Sequence, residues 1–460
     1  MAADQDVSKE FARFAAGIRY EELPTDAVEA AKKSLLDTLG VILAASGTEP
    51  AVRPLIDLVR EEGGKEDCTI LGFGGRVPAA RAALANGALA HCLDFDDQTP
   101  WGAHPDSSVV PTVLALAELK GRVTGKDLIT AIAIGQELFI RLRLNVGWHM
   151  DWNLSTTVGV FSATAAGGRI MGLTADQIAH ALGIASMHSS GTMELIFGVG
   201  SDLRGMYAGF SSQGAVHAVQ LARRGMTGIR NLFEGEAGHF KVYFRGEYDR
   251  AKMTEGLGMQ FHSSGMLYKY WPAVGNAHTY IHAAIELRKE HDLAPDQIEE
   301  VRVYVGNFAE RMCAPLELRQ VPGTLVDAKF SLPFLVALSL AKGRMNISDF
   351  STTALRDPDV LALARKVVPV PDPAFNWNLK LPDGKVEVVT SDGRRIERLG
   401  SEVPGTAERP MTWAQLGQKF KECAEVAARP VAPDRIAAIQ ELIGQLEICD
   451  SSAELMQLIS

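Results

Sequence analysis

A change of hydrophobic period near residue 260 restricts this chain to a small set of folds. Before it, from residue 7 to about 258, apolar residues recur almost entirely at helical spacing. Asp26, with Glu29 three positions later, opens a run that places Val28, Ala31, Leu35, Leu39 and Ile42 on one face. Thr124 with Asp127 opens another through Leu128, Ala131, Gly135, Leu138 and Leu142. Thr174 with Gln177 opens a third through Ile178, Ala181, Leu182 and Ala185. Stretches rich in Ala and Gly, such as Pro78 to Leu89 and Gly205 to Ala215, let helix backbones approach closely and favour a compact bundle over a solenoid.

Beyond residue 260, helical runs at 276 to 290 and 325 to 342 alternate with strand-like segments. Ile298 to Val305 alternates polar and apolar residues, and Lys385 to Thr390 with Arg394 to Glu397 reads as a hairpin around Asp392-Gly393. Helical character returns at 411 to 428 and 432 to 446. The expected class is therefore mostly α: a large all-helical bundle over residues 1–258, a smaller α+β domain over 259–405, and C-terminal helices over 406–460 packing back on the bundle.

Residues 86 to 113 concentrate the chemistry. An apolar helical run through Ala82, Leu84, Leu89 and Leu93 ends in Asp94, Asp96 and Asp97, and a loop containing Pro and Gly then delivers His104 beside Pro105. If the helix extends to Asp97, Asp94 and Asp97 share a face. A carboxylate can fix an imidazole's tautomer, and histidine titrates near neutrality, so the cluster suits proton transfer. A solvated helix end followed by a loop histidine is the bland alternative.

Charge and cysteine usage narrow the function classes. A net charge of -10 gives no basic field for nucleic acid, so an anionic ligand needs a local positive site. The N-terminal Met-Ala-Ala-Asp-Gln-Asp lacks the regions of a signal peptide, and apolar runs such as 330 to 342 are short for a membrane span, so a cytoplasmic protein with no membrane partner is expected. Five scattered cysteines without a Cys-x-x-Cys pairing fit a reducing compartment without structural zinc. Cys92, with no Lys or Arg beside it in sequence, reads as a buried hydrophobe. His278 and His282 lack companion ligands for a metal, and Gly72-Phe-Gly-Gly75 does not match a nucleotide fingerprint. No metal and no organic cofactor are expected.

His91-x-Leu93-Asp94-Phe95-Asp96-Asp97, a short loop and His104-Pro105 resemble the signature of the MmgE/PrpD family, which includes 2-methylcitrate dehydratase, cis-aconitate decarboxylase and iminodisuccinate epimerase. Further stretches in the same order extend the resemblance: Arg204 to Gly209, Gly225 to Gly228, Lys269 to Pro272 with His278, and Asp327 to Pro333. The resemblance implies a helical domain closed by C-terminal helices, an inserted α+β domain, and a homodimer.

It also implies chemistry without a cofactor, with Asp94 and His104 as the acid/base pair. Four positions depart from what dehydratase and decarboxylase members usually carry: Gln98 stands where a Thr is usual, Asn153 where a His is common, Arg204 for a Lys and Val274 for a His. Lys to Arg keeps the charge and improves bidentate grip on a carboxylate, while Val274 makes its wall apolar. Arg204, Lys269, Gln98 and Asn153 are the substrate-binding candidates; His188 is a weaker one. The expected activity is a hydro-lyase acting on a small carboxylic acid less charged than citrate or aconitate. An isomerase of the iminodisuccinate epimerase type is the second reading and decarboxylation the third, with a non-catalytic carboxylate-binding homologue as a separate class.

Overall fold

The computed structural model describes residues 6–378 and 381–460. Its helices form a mostly α architecture with one small mixed sheet. The first core runs from Val7 to Tyr268, takes in Ile347, and resumes from Met411 to Ile459; the second runs from Trp271 to Val403. The chain thus leaves the helical core, builds the sheet and returns. On its return, Trp413–Glu425 lies against Thr25–Thr48, close enough that a Cβ on Gly40 would sit 3.1 Å from the Phe420 ring.

Local capping fixes several helix starts. Thr124 and Thr174 form reciprocal capping boxes with Asp127 and Gln177, satisfying N–H groups left open at the first turn. The start expected at Asp26 lies earlier, because extended Pro24 precedes Thr25–Thr48 and places Asp26 inside the first turn, where its Oδ1 accepts from Ala27 N at 2.9 Å. There the carboxylate complements the helix dipole instead of closing a box with Glu29. The run expected over 325 to 342 is two helices, Leu325–Lys329 and Leu332–Lys342. Ser331 caps the second through Phe334 N at 3.1 Å, and Pro333 fits its opening turn because no N–H is needed there.

Close helix packing places one wall of the site. Tyr207–Arg223 runs along Ala79–His91, and a Cβ on Gly209 would come 2.3 Å from Leu84 O, so only glycine permits that approach. This brings the end of one helix, His91, to the start of the other, Tyr207, with ring centroids 4.4 Å apart.

In the second core, Ile298–Val305 pairs antiparallel with Gly384–Thr390, which pairs with Arg395–Gly400 as the hairpin pattern requires. Val367–Pro371 adds a parallel strand at the sheet edge, where Pro369 and Pro371 are tolerated. A two-residue ladder, Asp97–Gln98 against Leu267–Tyr268, ties the loop after Ala79–His91 to the segment that leads into the second core. Among the described residues no single helix is long and apolar enough to cross a membrane; Thr25–Thr48 and Pro50–Glu62 meet that test only as a pair bent by 88°.

Candidate active site

The helix carrying the central motif ends at His91, so Asp94 and Asp97 do not share a helical face. The chain turns instead: Asp94 N donates to His91 O at 2.8 Å, and Asp94 adopts φ 48°, a left-handed conformation that Asp tolerates better than most residues. Asp97 then enters its short strand. This turn separates the carboxylates and gives each a different neighbour.

Asp94 is buried with its Oδ1 on the Lys269 ammonium, which also donates to Asp94 O at 3.1 Å. Burial pushes the Asp94 pKa up, but Lys269, His104 and His91 outweigh it and hold the carboxyl below its ordinary value. Its Oδ2 has no partner among the described residues. Asp96 accepts from His91 Nδ1 at 2.9 Å, and there too the interactions with His91 and His104 outweigh desolvation and hold the carboxyl below its ordinary value.

His104 is fixed from one side. Its Nδ1 lies 2.6 Å from Asp97 O and 3.5 Å from Asp96 Oδ2. A carbonyl can only accept, so Nδ1 carries the proton and Nε2 keeps a free lone pair. Burial pushes the His104 pKa down to about 4; Asp96 opposes the fall and Lys269 and His91 add to it. The imidazole is neutral at pH 7, with its lone pair at Nε2. Tyr207, pushed well above its ordinary pKa by burial, stays a phenol beside it.

His104, His91, Asp94 and Tyr207 line one cavity of about 100 Å³, a small volume beside the roughly 300–1,000 Å³ of drug-sized sites. Gln98, Asn153 and Val274 line it too. Asn153 caps Leu154–Thr157 through its Oδ1, at 2.9 Å from Ser155 N, and its Nδ2 has no partner among the described residues. Gln98 sits between this cavity and a neighbouring cleft of about 390 Å³, and Lys269 lines only the latter. Arg204 lies in the turn Asp202–Gly205, with its guanidinium 3.4 Å from the centre of the Phe330 ring, and Phe330 is a cavity wall. It is 3% exposed, with a weak bond to Gly198 O at 3.4 Å and, among the described residues, no partner at Nε and no carboxylate in salt-bridge range.

Two segments of the chain match the two domains of one family in order: the MmgE/PrpD N-terminal domain over residues 9–251 and the MmgE/PrpD C-terminal domain over 271–445. The chain belongs to the MmgE/PrpD family. Curated relatives include a cis-aconitate decarboxylase-like protein from Aspergillus oryzae, 25% identical over 99% of this chain and 97% of that protein. Cis-aconitate decarboxylase of Aspergillus terreus is 24% identical over 100% of this chain and 96% of its own length. The 2-methylcitrate dehydratase of Escherichia coli is 24% identical over 88% of this chain and 87% of its length.

In this MmgE/PrpD protein, residues that sequence reasoning left aside complete the cluster. His91 and Asp96 stand in the same motif as Asp94 and His104, and their i, i+5 spacing across the helix end could have marked them as a pair. Tyr207 and Arg143 reach the cavity from distant segments with no local signal. The ligand atoms of His91, Asp94, Asp96 and His104 all lie within 4.8 Å of one another and can hold a cation, although Lys269 already supplies the positive charge at Asp94. His188 is exposed and lies apart from the cavity, next to His217 at a ring separation of 6.1 Å. Cys92 is buried and its thiol pKa is pushed up by that burial; all five cysteines are free.

Proposed function

We propose that this MmgE/PrpD protein is a cofactor-independent lyase, a hydro-lyase acting on a small carboxylic acid by removal of a proton alpha to a carboxylate. The observation that carries this reading is a neutral, part-buried His104 whose Nδ1–H is held by Asp97 O, leaving Nε2 free in the cavity that anionic Asp94 also lines, with the Arg204 guanidinium behind the Phe330 wall.

In this mechanism His104 Nε2 takes the alpha proton. The imidazolium that forms is stabilised at Nδ1 by Asp97 O and the Asp96 carboxylate. Arg204 offers a fixed positive charge to the carboxylate and to the enolate-like charge that develops on it. Burial and the nearby Arg319 push the Arg204 pKa down to about 9, which leaves it a cation at neutral pH. Asp94, kept anionic by Lys269, orients the departing hydroxyl through its free Oδ2. His104 returns the proton to that hydroxyl, so an alkene and water leave and the histidine is regenerated.

Decarboxylation is a second reading, favoured by the match over nearly the full chain to relatives named for it. The two separate in one experiment. The protein is incubated with a panel of small di- and tricarboxylic acids in deuterated water and followed by NMR. An alkene or hydrated product supports the hydro-lyase, loss of carbon dioxide supports the decarboxylase, and deuterium entering an alpha position without net change indicates an epimerase instead. If every acid behaves identically with wild type and the His104→Ala variant, the lyase reading is wrong.

A further inference from the structure

Arg143 lies in the last turn of the helix Gly125–Leu144 and lines the same cavity as His104. It is 2% exposed, with Nη2 donating to Trp101 O at 2.5 Å, while Nε and Nη1 have no partner among the described residues and no carboxylate lies in salt-bridge range. Burial alone pushes its pKa down, to about 10, so it is charged at neutral pH. A buried guanidinium with two idle donors costs several kcal/mol in desolvation unless something compensates it.

Its surroundings are apolar and aromatic. Trp148 faces the guanidinium at 5.1 Å, with its indole N–H already spent on Trp152 O at 2.8 Å. Trp101, Phe308 and Trp377 add to that part of the lining, and Trp377 Nε1 is a further buried donor without a partner among the described residues. Arg143 is thus the one guanidinium lining the cavity among the described residues, with Arg204 outside the lining and packed against the wall residue Phe330, whereas Lys269 is neutralised by Asp94. Idle donors here outnumber idle acceptors, which is the complement of an anion.

We propose that Arg143 binds a second carboxylate of the substrate, making this a site for dicarboxylates with a short hydrocarbon spacer and Arg143 its specificity-determining residue. The inference rests on the carboxylic-acid reading above. It assigns one carboxylate to the Arg204 side, next to the reacting carbon, and the other to Arg143, with the spacer against aromatic walls.

Binding is tested with succinate and glutarate against butyrate and valerate, which match them in length but carry one carboxylate, by tryptophan fluorescence and isothermal titration. The inference predicts that wild type binds each dicarboxylate at least about tenfold more tightly than its monocarboxylate partner. Arg143→Gln should abolish that preference with monocarboxylate affinity unchanged, and Arg143→Lys should keep part of it. His104→Ala should retain the preference even though turnover is lost, so failure of the lyase reading is told apart from failure of this one. Equal binding of the paired acids to wild type, no binding of any of them, or a preference surviving in Arg143→Gln would overturn the inference. If Arg143→Gln fails to fold, the wild-type and Arg143→Lys comparisons decide it.

Discussion

Two pairs of carboxyls flank the loop between His91 and Asp106, and all four are at most 2% exposed: Asp94 and Asp96 on the cavity side, Asp97 and Asp106 towards the core. The first pair is ionised. The second is pushed the other way, Asp97 well above its ordinary value by burial and by Asp106, and Asp106 to about 7 by burial with Asp37 and Asp96 adding to it. Equal burial therefore goes with opposite pKa shifts, and the neighbour decides which. Lys269 and His91 stand beside the first pair; the second has each other, with Asp106 Oδ2 accepting from Gln136 Nε2 at 2.8 Å. Under the proposed mechanism the contrast has a use: anions next to His104 would stabilise an imidazolium formed during proton transfer, while carboxyls that hold their protons to higher pH add less charge to the core.

Breaking the cavity side should give the largest effects. His104→Gln should lower turnover by roughly 10²–10⁴-fold with circular dichroism unchanged, as expected for a group that moves the proton. Lys269→Met leaves Asp94 as an uncompensated buried charge and should cost about 3–5 kcal/mol in urea unfolding, most of it recovered in Lys269→Met with Asp94→Asn. Asp96→Asn, which weakens the charged bond to His91, should cost about 1.5–3 kcal/mol and lower the His104 pKa further.

The core side should respond least, and in a pH-dependent way. The folded state keeps the Asp106 proton up to about pH 7, whereas an unfolded Asp loses it near 3.8, so the native state binds more protons across that window and stability falls as pH rises through it. Asp106→Asn removes that slope. At pH 4 it should change stability by less than about 1 kcal/mol, and at pH 8 it should be the more stable protein relative to wild type. An equal cost at both pH values would mean that Asp106 is ionised and the contrast is false.

Much of the fold was legible because its signals are local. Capping boxes at Thr124 and Thr174, alternation over Ile298–Val305 and Asp392-Gly393 in the hairpin each depend on residues a few positions apart. Asp94 and His104 were legible as candidates because one short motif carries both. Their geometry was not: the helix stops at His91, and the left-handed turn at Asp94 reverses the expected face-sharing with Asp97. The electrostatics lay further out of reach. Lys269 meets Asp94 across 175 positions of chain, and Arg143 reads in sequence as an ordinary basic residue in a last helical turn, where cations are favoured anyway. Lys419, whose ammonium bonds Phe95 O at 2.7 Å and Asp37 at 2.6 Å, comes from a helix that only the return of the chain brings to the site.

The central claim is that His104 is a neutral base with its proton on Nδ1 and its lone pair on Nε2. Nitrogen-15 NMR of histidine-labelled protein, with His104→Gln to assign the signal, measures both tautomer and titration. The account predicts a protonated Nδ1, a bare Nε2 through neutral pH and a midpoint near 4. A proton on Nε2 at pH 7, or titration near the ordinary 6.5, would contradict it.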